Sequence, residues 1–197
     1  MAFDLKNVNG KIAVIGWDKP HIELNATKSV QADDQEEADE VLDRIEIEID
    51  ESSRRIRVET DLPDISSGGG LISWIFGRHH RQSARVDYEI YVPKDLLIEL
   101  SSTNGRIDCE DTVGELDLNT TNGQIKVEKA IGSVSASSTN GRVTVEIVEA
   151  PEDSRVDLRT TNGGIKLALP EDFGGSIQAG TTNGRLRSDF DIRGKMN

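Results

Sequence analysis

Six cations recur at matched offsets in the second half of the chain: Arg106, Lys126, Arg142, Lys166, Arg185 and Arg187. Each lies one or three residues beyond the glycine of an Asn-Gly pair. On an alternating strand those offsets share a face, so all six point the same way. A row of guanidinium and ammonium groups at strand spacing attracts an anionic polymer or the acidic face of another protein. Charges on solvent-facing strand positions are also ordinary, and Gln124 and Gly164 separate like charges at ladder spacing.

Reaction chemistry has less to stand on. Acidic residues recur, but glycoside cleavage needs two placed carboxylates of divergent pKa, and an aromatic content of 4% leaves little for sugar stacking. No nucleophile–base arrangement or metal-ligand spacing is evident. The acidic turns at Glu152-Asp153 and Glu171-Asp172 lack the alternating Asp pattern of a calcium loop. His79 and His80 are adjacent, so on a strand they face opposite ways; Arg78 and Arg81 flank them, as in a solvated basic turn. Cys109 stands in an aliphatic column and reads as a small buried hydrophobe. The expectation is a protein that is not an enzyme and needs no cofactor or metal, with a polysaccharide-active enzyme as an alternative.

Bulk charge narrows the partners. A net charge of −13 and a pI near 4.7 oppose nucleic-acid binding, which needs a basic footprint. No apolar run reaches the roughly 18 residues that span a bilayer. Met1-Ala2-Phe3-Asp4 opens without a basic segment or a long apolar stretch, so no signal peptide is expected in this sequence. The protein is then cytoplasmic, or it belongs to the cell envelope or the exterior through a leader or anchor lying outside these residues.

The elements that hold the cations follow from one tripeptide. Thr-Asn-Gly occurs five times, with asparagines at Asn104, Asn122, Asn140, Asn162 and Asn183, each followed by glycine at Gly105, Gly123, Gly141, Gly163 and Gly184. Apolar or hydroxyl residues stand two, four and six positions before each asparagine and, in most copies, three and five after it. Each copy is a short strand, a corner, and a second short strand. The same flanks mark a sixth copy at Asn9-Gly10, with Phe3, Leu5 and Asn7 before it and Ile12 and Val14 after it.

Asn-Gly is also the strongest two-residue hairpin signal, so each copy is either an antiparallel hairpin or a bend between successive coils of a parallel stack. The near-constant period favours the stack: an all-β, single-stranded β-solenoid of roughly 18–22-residue coils, with asparagines in a hydrogen-bonded ladder and glycine taking up a left-handed bend. Val113-Gly114 and Ile131-Gly132 mark second turns one period apart.

The chain reads as one domain over 1–197. Residues 98–192 hold the tandem coils, and 1–97 hold an N-terminal coil, a short helix and capping strands. Asp33 and Glu36 have capping-box spacing for the helix, and Ile45 to Val58 alternate as a hairpin. A segment over 66–82 interrupts this half with Leu71-Ile72-Ser73-Trp74-Ile75-Phe76. Trp74 and Phe76 are either a partner-binding loop or a plug over the end of the stack.

Asn7-Val8-Asn9-Gly10-Lys11-Ile12-Ala13-Val14, Gly16-Trp17-Asp18, the tandem Thr-Asn-Gly corners and Leu167-Ala168-Leu169-Pro170 together resemble the bacterial and archaeal "putative adhesin" β-strand-repeat family, a domain of unknown function. The resemblance covers nearly the whole chain, with 66–82 as an insertion. It implies a β-helix, often attached to the cell envelope, with no catalytic residues to carry over. The expected role is a structural or interaction module of the envelope that binds a protein or an anionic envelope polymer and self-associates through one end of the stack. A cytosolic polymerising scaffold is the alternative.

Overall fold

The computed structural model describes residues 1–63 and 83–187. Strands flank every Asn-Gly corner: β1 (Ala2–Asn9), β2 (Ile12–Trp17), β7 (Leu97–Asn104), β8 (Ile107–Glu110), β9 (Val113–Thr120), β10 (Ile125–Asn140), β11 (Val143–Glu149), β12 (Arg155–Asn162), β13 (Ile165–Ala168), β14 (Ser176–Thr181) and β15 (Leu186–Arg187). The two strands beside one corner do not form a hairpin. Each pairs in parallel with its counterpart in the next repeat, so Asn9 aligns with Asn104 and Asn140 with Asn162.

Two parallel ladders result. The first contains β1, β7, β9, the second half of β10, β12 and β14. The second contains β2, β8, the first half of β10, β11, β13 and β15. Because β10 runs through both, the whole is one 15-stranded open sheet, curled so that the two ladders share a core.

The first half of the chain supplies β3 (Glu23–Gln31), α1 (Gln35–Asp43), β4 (Glu46–Glu51), β5 (Arg55–Asp61) and β6 (Ser83–Pro93). Here β5 lies parallel to β1, setting Phe3 beside Ile56 and Leu5 beside Val58, and β6 lies parallel to β2, setting Val14 beside Ile90. They form a rung that no Thr-Asn-Gly marks. Beyond it β4 closes the first ladder and β3 the second, both antiparallel. The β4–β5 hairpin is the one the alternating isoleucines predict. The helix begins one residue later than the capping-box reading: Asp34 is the N-cap, accepting from the Glu37 backbone N–H at 2.8 Å.

Alternation fills the core. Phe3, Leu5, Ile98, Leu100, Leu116, Leu118, Val134, Ala136, Val156 and Leu158 are buried on the first ladder, facing Ile12, Val14, Ile107, Cys109, Ile125, Val127, Val143 and Val145 on the second. At roughly 1.5–3 kcal/mol for each fully buried large aliphatic, adjacent rungs stabilise one another. Tyr88 brings a hydroxyl into this core and satisfies it on Thr60, 2.7 Å away; burial pushes its pKa up.

Glycine is required at the corners for a different reason than the left-handed bend expected of it. Only Gly10, Gly114 and Gly132 have positive φ among the described glycines. The tandem corner glycines are needed because the rungs touch there. A Cβ on Gly123 would lie 1.9 Å from the carbonyl oxygen of Gly105, and one on Gly141 would lie 1.8 Å from that of Gly123. The left-handed residues sit at the other bend instead: Asp111 and Lys129 at φ 54°, Asp153 at φ 72°.

Gly123→Ala should therefore cost about 2–3 kcal/mol of unfolding free energy, since neighbouring backbone must move. Gly180→Ala, whose new methyl meets no atom within 4 Å, should stay within about 0.5 kcal/mol of the parent. Urea denaturation of the two variants compares them; equal stability would refute the close-contact account.

Candidate functional site

Each corner presents three neighbouring side chains, and each has a different environment. The asparagine side chains form a continuous column. Asn104 Nδ2 donates to Asn9 Oδ1 at 2.8 Å, Asn122 to Asn104 at 2.8 Å, Asn140 to Asn122 at 2.8 Å, Asn162 to Asn140 at 2.7 Å and Asn183 to Asn162 at 2.8 Å. Asn9 ends the series by donating to the Ala84 carbonyl at 3.1 Å. Every amide donates in the same direction, an arrangement in which successive bonds polarise one another.

Two residues before four of the tandem asparagines, an inward hydroxyl reaches the preceding rung; Ser102, in the first tandem copy, is buried without such a bond. Thr120, Ser138, Thr160 and Thr181 donate to the carbonyls of Gly105, Gly123, Gly141 and Gly163 at 2.9–3.1 Å. Asn7 replaces the hydroxyl in the first copy, its Nδ2 reaching the Val86 carbonyl at 2.8 Å. One residue before each asparagine, Thr103, Thr121, Thr139, Thr161 and Thr182 are exposed, and their hydroxyls have no partner among the described residues.

That exposed side of the first ladder is concave. Two hollows of about 480 and 460 Å³ meet at Ser137 and Thr139, and all five threonines line them. Lys6, Glu59 and Arg159 are their charged residues.

The cations lie on the second ladder, apart from those hollows. Their charge is not evenly available. Arg106 Nε is 2.6 Å from Asp108, and Lys126 Nζ is 2.5 Å from Glu128. Lys11, which continues the row at the first corner, is 3.3 Å from Asp108. Arg142, Lys166 and Arg185 have no carboxylate within 4 Å among the described residues, and all three are exposed. They occupy three successive rungs. Arg187 pairs with Lys166 in the strand register. The candidate positions Trp74 and Phe76, with His79 and His80, lie outside the described residues.

At the second bend Lys129 bridges Glu110 at 2.8 Å and Asp111 at 3.6 Å. The hydrogen bond from Lys129, then its charge, lowers the Glu110 pKa. Cys109 is buried, and burial pushes its thiol well above the ordinary range, so it stays protonated and unreactive. Among the described residues no group of three His, Cys, Asp or Glu side chains is placed to hold a metal ion. No described helix is long and apolar enough to cross a membrane.

Removing one asparagine from the middle of the column deletes two side-chain bonds, and removing the last deletes one. Asn122→Ala should cost about 1–2 kcal/mol and Asn183→Ala about half as much, from net values near 1 kcal/mol per bond. Chemical denaturation checks the ratio; equal losses would argue against a bonded column.

A crystal structure described as that of a putative cell adhesion protein from Clostridium sporogenes is similar over 94% of this chain and 90% of that one, at 11% identity and a TM-score of 0.44. Among curated proteins none matches the chain significantly. The matching family is a different one from the β-strand-repeat adhesin family that the corners resemble. Residues 78–197, more than half of the chain, match the family described as Domain of unknown function (DUF7330), and the chain belongs to that family.

Proposed function

We propose that this protein is a non-enzymatic structural or interaction module that binds an anionic polymer along the second ladder. The observation that carries the reading is the run of Arg142, Lys166 and Arg185 on three successive rungs without neutralising carboxylates among the described residues. In a chain of net charge −13 such a row is a local reversal of field, and it directs a polyanion to one place. Rungs about 4.8 Å apart let a linear ligand meet one cation per rung. Surface attraction of this kind falls as salt rises, because the Debye length is only about 8–10 Å near physiological ionic strength.

Co-sedimentation with polyphosphate and polygalacturonate at low salt tests the proposal. The triple variant Arg142→Glu, Lys166→Glu, Arg185→Glu should lose binding by about tenfold or more, whereas Arg106→Glu with Lys126→Glu should matter less, because those cations already face carboxylates. Indifference of binding to the triple reversal would refute it.

The two ladders are read as opposite sides of β-solenoid coils forming one domain over 1–197. The identity of residues at paired positions and the steric contact of corner glycines support that reading. In such a stack each coil meets only its neighbours, so removing one whole coil in register leaves a foldable protein. Deleting residues 105–122 joins Asn104 to Gly123 and should give a shortened β protein that melts cooperatively at a lower temperature. A chain that no longer folds would count against independent coils.

Adhesin-like placement at a cell envelope rests on the resemblance of the tandem corners, and the described neighbour is itself called a putative cell adhesion protein. Fractionation of the native host with an antibody to this chain tests it; recovery only in the cytosol would favour the scaffold reading instead.

A further inference from the structure

We propose that the concave side of the first ladder binds a neutral polysaccharide chain laid along the rungs, independently of the cations on the second ladder. Within each copy, hydroxyls occupy two adjacent positions before the corner, and only one of them is explained by folding. Thr120, Ser138, Thr160 and Thr181 are spent on glycine carbonyls. Thr103, Thr121, Thr139, Thr161 and Thr182 point outward and bond nothing among the described residues.

The fold does not demand threonine there. Two residues earlier on the same face the copies carry Lys6, Ser101, Asn119, Ser137, Arg159 and Gly180, so the exposed side of these strands tolerates almost any residue. Val8 occupies the threonine position in the first copy, so a side chain of the same shape without the hydroxyl is accommodated. What sets the column apart is the hydroxyl, repeated five times at about 4.8 Å intervals.

Its surroundings select the ligand. The threonines line two adjoining shallow hollows of about 480 and 460 Å³ that follow one another along the rungs. Charge enters only through Lys6, Glu59 and Arg159. A hydroxyl both donates and accepts, so a row of them matches a chain that also carries a donor and acceptor on every unit. An uncharged glycan has that character, whereas a polyanion would use only the donor half of each hydroxyl. Single contacts are weak, and linkage along one chain sums them.

The test is affinity electrophoresis and calorimetry of the full chain with soluble glucan, xylan and chito-oligosaccharides, all uncharged. The parent should bind at least one of them, and Thr121→Val with Thr139→Val should weaken that binding by about tenfold, the equivalent of two lost hydrogen bonds. The triple reversal of Arg142, Lys166 and Arg185 should leave it intact, which separates this site from the polyanion row. Should the valine pair fail to fold, methyl NMR of the parent decides: glycan must shift the signals of the five column threonines. The proposal is overturned if no uncharged glycan binds, if binding survives the valine pair, if the shifts map elsewhere, or if the face instead shapes ice crystals without holding glycan.

Discussion

The spacing of the rungs depends on a contact that leaves no room for one carbon atom. At each tandem corner the glycine of one copy lies against the carbonyl oxygen of the glycine before it, with a hypothetical Cβ only 1.7–2.0 Å from that oxygen. The buried hydroxyl then reaches the same carbonyl, and the asparagine amides come within bonding distance of one another. A bulkier residue at the corner would separate the rungs and lose both columns. The Asn-Gly pair and the buried residue two before the asparagine therefore solve one problem together: glycine permits the approach, the buried hydroxyl satisfies its carbonyl, and asparagine bridges the rungs.

The asparagine column is also continuous. An amide offers two N–H groups and a carbonyl oxygen, and each inner member gives one N–H and receives one. An aspartate would accept only, and would set like charges at rung spacing. This is the physical ground for regarding the asparagine and glycine of each corner as architecture.

Much of this was legible before any coordinates. The offsets place the inward columns correctly at most corners, including the distant copy at Asn9, because alternation and a shared register leave little freedom; at the last copy Ile177, expected inward, is half exposed. The rung made by β5 and β6 escaped notice because Ile56, Val58 and Tyr88 join the columns without an Asn-Gly corner between them. Glycine's role was misassigned because sequence cannot separate a need for positive φ from a need for space. Lys129 shows the converse: nothing in its type announces a left-handed residue, and its place is set by the tight bend inside β10.

Charge followed a rule that is local once stated. Arg106 and Asp108, Lys126 and Glu128, and Arg159 and Asp157 are two residues apart on one strand, on the same face, and they pair. Two residues beyond Arg142 stands Thr144, beyond Lys166 stands Ala168, and beyond Arg185 stands Arg187. Among the described residues the row therefore divides into a neutralised part, Arg106 and Lys126, and a part without a carboxylate partner, Arg142, Lys166 and Arg185. On the opposite ladder the same alternation leaves threonine hydroxyls outward. One corner, repeated, thus sets two outer faces of unlike chemistry at one spacing. A surface of that kind would gain affinity from many equal weak contacts only with a ligand that itself repeats.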